Sequence, residues 1–441
     1  MIRATPAPLR AYVVAAASIV WLGRSVGAQS AIPNPLTLAD AERMLSERSL
    51  LAASNRALVN AAEAARRIAG YKPNPVVQFG AEQFPFSSNV PGSAPRFWNT
   101  DPNAGAQPTY TVQYSQLFER GDKRELRTSL ADANLEVARL QALDSLRLQL
   151  FQLRQAFGNA LVARDNLRLA QAIDAQYGRT EELTLLKVKT GELAPVESYR
   201  ARAGRLQFAQ AVIDAKSAYE QATRDVMNLL DASPDDQPGG AGPAVLEVSG
   251  DLTDTPVART LVELRTASLQ TRPDVLLARQ ALVAADRSVD LSKAQRSRDL
   301  STTFEFQRVG NDLSLGVITQ VPLFVHNDQR AGIDQASAQR ASADALLKQA
   351  ERQARTDVEK AFQAYLAARQ SLLLYSGDNI EQVRKLQDIA DYSYREGYTS
   401  LFEFLDVQRS TSQTLIAYNQ ARLTYQVSLW QLEQAVGGPI Q

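Results

Sequence analysis

The stretch from Arg124 to Lys187 contains no proline and only two glycines, Gly158 and Gly178. A helix of about 60 residues, rising 1.5 Å per residue, is roughly 90 Å long, and no compact domain is that wide. Leu146, Leu150, Leu153, Phe157 and Leu161 recur at three- and four-residue steps, which makes an apolar stripe on one side of such a helix. Val383, Leu386, Ala390 and Tyr394 repeat the pattern in the second half, as do Leu423, Val427 and Trp430. Alanine, glutamine and charged residues fill most of the remaining positions. Narrow apolar seams with wide polar faces suit coiled coils better than a single globular core.

Two regions switch to period-two alternation. Val77, Phe79 and Ala81 alternate with Gln78, Gly80 and Glu82; after a long polar loop, Tyr110, Val112 and Tyr114 alternate with Thr111, Gln113 and Ser115. In the second half Leu300, Thr302, Phe304 and Phe306 alternate with Ser301, Thr303, Glu305 and Gln307. A Val309-Gly310-Asn311-Asp312 turn leads to Leu313, Leu315 and Val317. Each hairpin thus has one apolar, aromatic face and one polar face. Transmembrane barrel strands have this pattern, and so does a small soluble sheet with one buried face. Four strands cannot close a barrel, and open edges in a bilayer leave costly unpaired backbone groups. Membrane strands of this kind must therefore be pooled, and three copies give twelve.

Composition excludes several function classes. The 441 residues include no cysteine and one histidine, which removes disulfides, thiol nucleophiles, an N-terminal lipidated cysteine and a His/Cys zinc site. Lys+Arg and Asp+Glu number 48 each, a balance that argues against nucleic acid. Arg3 and Arg10 flank a polar start, Ala11 to Gly23 is a short apolar run, and Val26-Gly27-Ala28 offers small residues for cleavage. This is a secretory signal layout, predicted to end at Ala28. Its removal takes Arg3, Arg10 and Arg24 but no acid, leaving 45 basic and 48 acidic residues. No later segment has the roughly 20 apolar residues of a membrane helix.

The chain reads as two structural repeats, 29–230 and 263–441, joined by a Pro/Gly/Asp-rich linker or equatorial segment at 231–262. Strand hairpins are expected at about 76–117 and 300–323. Lys189-Thr190-Gly191 echoes Arg395-Glu396-Gly397, and Gln116-Leu117-Phe118 echoes Gln320 to Phe324. Such self-similarity marks one unit used twice. Gly191 and Gly397 are expected to end helices in the left-handed conformation, with Pro195 opening the next helix.

Gln320-Val321-Pro322-Leu323-Phe324, Arg272-Pro273-Asp274-Val275 and the run from Gly397 through Leu401-Phe402-Glu403-Phe404-Leu405-Asp406-Val407-Gln408-Arg409 resemble, in this order, motifs of the TolC-like outer-membrane efflux protein family. The likeness covers nearly the whole chain after the signal peptide. The fold class it implies is mainly α with a β-barrel portion. A homotrimer would form a twelve-stranded barrel, four strands per chain, in the outer membrane among its lipids. A coiled-coil tunnel would project into the periplasm. The implied partners are a periplasmic adaptor and an inner-membrane pump, of the proton-driven RND type. The implied role is passive conduction, with no catalytic residue, no cofactor and no bound metal. Gln116 to Arg124 and Pro322 to Ile333 further resemble the CzcC-like heavy-metal branch. Departures are the missing proline after Gln116 and Gly121-Asp122 in place of the double glycine usual in drug-export members. Drug export or type I secretion remains the alternative within the family; a soluble periplasmic coiled-coil scaffold is the alternative outside it.

The resemblance also assigns residues. Glu403 and Asp406 lie on one helical face and, with Glu197, would ring the periplasmic entrance as a cation-selective constriction; from spacing alone a solvated face is the simpler reading. Tyr394, with Arg395 and Lys189, would link the entrance shut. The tips Thr190, Gly191, Glu192 and Leu193, and Glu396, Gly397, Tyr398, Thr399 and Ser400, would dock the adaptor; plain turns are the alternative. A hydrolase built on Glu403 and Asp406 would need a cleft, which long alanine-rich helices do not supply. His326-Asn327-Asp328 reads as a polar capping turn, Met44 and Met227 as isolated residues, and Trp98 as a rim or surface position.

Overall fold

A computed structural model of the chain describes residues 32–83, 108–232, 246–252, 255–375 and 378–440. The expected signal peptide, Trp98 and about half of the linker lie outside them. The elements in order are β1 (Leu36–Thr37), α1 (Leu38–Arg48), α2 (Leu50–Ala69), β2 (Val76–Glu82), β3 (Thr109–Phe118), α3 (Lys123–Lys189), α4 (Pro195–Leu229), β4 (Val248–Ser249), α5 (Leu261–Thr271), α6 (Pro273–Ala294), β5 (Leu300–Val309), β6 (Asp312–Gln320), α7 (Arg330–Leu373), α8 (Asp378–Arg395) and α9 (Leu401–Val436).

Helix α3 has 67 residues, about 100 Å of continuous helix. Its apolar stripe is used: Leu153 and Phe157 are fully buried and Leu161 nearly so. Gly158 lies where α9 crosses it; a Cβ there would sit 2.9 Å from Leu423 Cδ1 and 3.0 Å from Trp430 Cζ3. The second half departs from the single long helix expected before its tip. Leu374 and Tyr375 close a turn on the carbonyls of Ser371 and Leu372, and the chain resumes as α8 at Asp378.

Two apolar clusters hold the middle of the shaft. One joins Leu36 and Leu45 to Leu153, Phe157, Val226 and Leu246, with β1 and β4 paired in parallel beside it. The other joins Leu264, Val358, Tyr365, Tyr425, Leu432 and Ile440. Between the halves, the end of α9 rests in an arginine cradle. The carbonyl of Gln434 accepts from Arg147 (2.7 Å), that of Ala435 from Arg272 (3.3 Å) and that of Val436 from the Thr271 hydroxyl (2.8 Å). These are carbonyls that a helix end cannot satisfy itself. Arg272 is also paired with Asp274 (2.8 Å) and Asp357 (2.7 Å), and Pro273 opens α6 at its first turn. The Arg-Pro-Asp stretch is therefore a structural clasp.

Strands β2, β3, β5 and β6 form one antiparallel sheet in that order. Its register aligns Val77, Tyr114, Phe304 and Val317 in one rung and Phe79, Val112, Phe306 and Leu315 in the next. Alternate rungs align Gln78, Gln113, Glu305 and Gly316, then Gly80, Thr111, Gln307 and Ser314. Directly paired residues share a face, so one face is apolar and the other polar.

Candidate functional site: the bare sheet and the helical tip

The apolar face of the sheet has no cover. Phe79 is 78% exposed and Leu315 86%. Among the described residues no helix packs there, and β2 and β6 are the sheet's edges. The polar face is internally bonded: Ser115 and Thr303 share a hydrogen bond of 2.6 Å, and the Gln113 amide donates to Glu305. A soluble sheet of this alternation buries its apolar side; here that side is exposed.

The sheet joins the shaft through residues of the two strand-exit motifs. Gly121 and Asp122 are both left-handed, at φ 73° and 55°, and a Cβ on Gly121 would come within 2.4 Å of Ser297 Oγ. Lys123 bonds Asp299 (2.8 Å) and the Ser297 carbonyl (2.8 Å). Arg127 pairs with Glu119 (2.7 Å). Past β6, Asn327 accepts from the Gln329 amide and Asp328 from that of Arg330, so His326-Asn327-Asp328 lies in a polar turn leading into α7. Among the described residues no group of His, Asp and Glu is arranged to hold a metal ion.

At the other end, α3, α4, α8 and α9 converge. One aromatic chain crosses all four helices: Phe208 to Tyr177 (4.9 Å between centroids), Tyr177 to Phe404 (6.5 Å) and Phe404 to Tyr394 (5.4 Å). Gly204 makes room for it, since a Cβ would lie 2.3 Å from the Tyr177 hydroxyl, which donates to the Ala201 carbonyl at 2.8 Å. Tyr394 is 4% exposed, and its hydroxyl meets Thr184 Oγ1 at 2.5 Å. Burial pushes the Tyr177 phenol up to about 12 and raises that of Tyr394 as well. Both rings therefore remain neutral near pH 7.

The expected basic partners are rearranged. Lys187 reaches Tyr394, lying over its ring at 5.7 Å and donating to the carbonyls of Tyr394 (3.4 Å) and Arg395 (2.9 Å). Lys189 is exposed, and Arg395 pairs with Asp391 on its own helix. Thr184, Lys187 and the aromatic chain were not singled out from sequence. Their signal was a helical phase shared between α3 and α8, visible only once the two helices are aligned.

The acids divide similarly. Glu403 forms a capping box: its backbone N–H donates to Ser400 Oγ (3.2 Å) and its carboxylate accepts from the Ser400 N–H (3.1 Å). The Ser-x-x-Glu spacing carried that signal. Glu197 pairs with Arg200 at 2.7 Å. Asp406 is exposed. Gly191 (φ 79°) and Gly397 (φ 83°) are left-handed, with nothing within 4 Å of an added Cβ. Thr190 Oγ1 donates to Glu192 (3.0 Å), Leu193 closes its turn on the Lys187 carbonyl, and the Glu396 N–H bonds back to the Tyr392 carbonyl. Tyr398 is strongly exposed beside the buried, unpaired Thr399 hydroxyl. A groove of about 410 Å³ runs between α3, α4 and α9 past Ala163, Ala170, Ala211 and Ile416. Neither Glu403 nor Asp406 lines it.

The chain thus carries a four-stranded sheet with an exposed apolar face on a helical shaft of about 100 Å. Residues 264–438 match the family described as outer membrane efflux protein. No curated protein matches the chain. Among solved structures it is similar to CusC, known from crystal structures of folding and transmembrane channel formation (16% identity, 91% of this chain and 92% of that one, TM-score 0.70). It is also similar to the outer membrane protein VceC of Vibrio cholerae (17%, 92% and 97%, TM-score 0.68) and to the MtrE outer membrane channel of Neisseria gonorrhoeae in its open state (18%, 92% and 89%, TM-score 0.67). At these identities the likeness is one of fold.

Proposed function

We propose that the chain is the outer-membrane channel of a tripartite efflux system, conducting substrate passively from pump and adaptor to the exterior. The observation that carries this reading is the four-stranded sheet with a bare apolar face, a polar opposite face and two free edges. Three copies joined edge to edge give twelve strands, remove every edge, and put the apolar faces against lipid and the polar faces around water. The chain would follow its signal peptide across the inner membrane and stand in the outer membrane with its shaft in the periplasm. Recovery from the membrane fraction as a heat-resistant trimer tests this. Release by a salt wash without detergent would refute it and favour the soluble periplasmic scaffold.

In this reading the α3/α4 and α8/α9 tips form the periplasmic entrance. Asp406, Glu403 and Glu197, each repeated three times around the axis, favour cations there. Tyr394, Thr184 and Lys187 tie the two hairpins together in the closed entrance. Opening requires a partner with higher affinity for the open state. The adaptor is assigned to the tips 190–194 and 396–400, where Tyr398 and Phe402 stand exposed without cover.

Metal cations are the proposed substrates, with an RND-type pump, on the resemblance of 116–124 and 322–333 to the heavy-metal branch. One observation favours keeping small-molecule export as a second reading. Gly121, Asp122 and Lys123 form the joint between sheet and shaft, a task independent of what passes. Export of metal and of dyes from cells carrying the chain with its own pump and adaptor separates the two.

A further inference from the structure

The apolar face of the sheet ends on arginine at both ends. At the turn end, Arg308 pairs with Tyr110 and Leu313 in the rung beyond Phe306, and its Nε donates to the Gly310 carbonyl. At the shaft end the last paired rung is Phe118 with Leu300. One two-residue step further, the same alternation places Arg120 on the β3 side and Arg298 on the β5 side. Arg120 is held by its backbone N–H, which donates to Asp299 Oδ1 at 3.0 Å. Arg298 lies over the Phe324 ring at 5.8 Å. Tyr71 and Leu323 continue the step on β2 and β6, and both are strongly exposed.

Several neighbouring charges are engaged. Lys123 is paired with Asp299, Arg127 with Glu119, and Arg330 with Asp328. The guanidinium groups of Arg120 and Arg298 are exposed and have no carboxylate partner among the described residues. Ten residues of β5 separate Arg308 from Arg298, about 33 Å along the strand, or about 25 Å at a 40° tilt, which is the height of the apolar band of an outer-membrane barrel. A planar fork of donors at that depth matches a phosphodiester.

We propose that Arg120 and Arg298 bind the phosphodiester headgroups of the membrane leaflet on the shaft side and so set the depth of the sheet in the bilayer. The proposal rests on the membrane-spanning reading of the sheet. The occupant is a phospholipid because the arginines lie one step beyond Phe118 and Leu300, at the end of the face that carries the exposed Phe79, Val112, Phe304, Phe306, Leu315 and Val317.

The test is native mass spectrometry of the delipidated trimer titrated with phosphatidylglycerol. One arginine at an anionic surface is worth a factor of about five. The Arg120→Gln/Arg298→Gln protein should therefore bind about 25-fold more weakly per protomer, Arg120→Lys/Arg298→Lys should retain binding within a few-fold, and Arg330→Gln should match the parent. Diacylglycerol, which lacks the phosphate, should bind the parent no better than the double glutamine variant, and millimolar inorganic phosphate should not displace the lipid. Binding by the double variant within twofold of the parent, or displacement by inorganic phosphate, overturns the proposal. The heat-resistant trimer, checked for every variant, separates this failure from misfolding. Recovery of the parent protein without detergent would instead refute the membrane reading on which the proposal rests.

Discussion

Replacing Tyr394 by phenylalanine removes one oxygen from the tip bundle and leaves the stack on Phe404 in place. Thr184 has a single hydroxyl proton, which it donates to the Thr180 carbonyl at 2.7 Å. The 2.5 Å contact with Tyr394 is therefore donated by the tyrosine. The variant deprives a fully buried oxygen of one incoming bond, a loss of about 1 kcal/mol. If the bond exists only in the closed entrance, the open-to-closed ratio rises about fivefold, since 1.4 kcal/mol is a factor of ten. Single-channel recording in planar bilayers reads this as open probability. Thr184→Val removes the acceptor and should produce a similar rise, and the double variant should exceed neither single one, because both delete the same bond. An unchanged open probability in Tyr394→Phe, or additive effects in the double variant, would refute a gating role for this contact.

Four further outcomes are expected. Glu403→Gln with Asp406→Asn should lower cation selectivity in bilayer conductance while the trimer stays folded, because glutamine preserves the capping box; unchanged reversal potentials would remove these acids from the permeation path. Arg272→Met should cost about 3–5 kcal/mol, because it strands Asp274 and Asp357 beside a buried site and uncovers the Ala435 carbonyl. Loss of the heat-resistant trimer on gels is the readout. Tyr398→Ala with Phe402→Ala should weaken adaptor cross-linking without altering conductance, and full cross-linking would place docking elsewhere. Burial raises the Glu433 carboxyl despite its 2.7 Å bond to Arg154. A carboxyl whose pKa rises on folding contributes stability that is full below its unfolded pKa and lost as pH rises through the folded one. The melting temperature of the parent relative to Glu433→Gln should therefore be higher near pH 4.5 than at pH 8; a constant gap would contradict the burial argument.

Most of the helical shaft was legible because its signal is local. A proline-free stretch with three- and four-residue spacing can bury one stripe only as a helix, and α3 does so through Leu153, Phe157 and Leu161. The strands were legible for the same reason, from their alternation. What alternation cannot encode is which face is covered, and that is the question separating a membrane sheet from a soluble one. The answer lies in the absence of any helix over Phe79 and Leu315, a tertiary fact. The tips followed from Gly191 and Gly397, since few other residues end a helix at positive φ. The contacts between α3 and α8 did not follow. Gln176 bonds Gln387, Thr184 bonds Tyr394, and Lys187 bonds the Arg395 carbonyl. Pairing the tip motifs by resemblance points to Lys189 instead. The helical phase of α3 turns that lysine to solvent and brings Lys187, two residues earlier, over the Tyr394 ring. The capping box at Ser400 was present in the sequence as Ser-x-x-Glu, masked by the attention its acid drew as an entrance charge.

The placement of polar side chains separates the mechanical parts of this chain from the parts that meet substrate. Arg272, Arg147, Lys123 and Arg164 are among the least exposed charges, and each holds one segment of the chain against another. A charge committed to two or three hydrogen bonds in a half-buried joint has little left to offer a passing ion, and moving it would cost more than any transient contact returns. The exposed acids include Asp406 at the tip and, on the sheet's polar face, Glu82 and Asp312. In the proposed channel, such acids would bias cations over anions without trapping either. Discrimination among cations, or between a cation and a neutral drug, requires groups that replace the hydration shell at close range. In the proposed tripartite assembly the identity of the substrate is expected to follow the pump. Exchanging pump and adaptor while keeping this channel should change which compound is exported, whereas exchanging the channel alone should change only how fast it leaves.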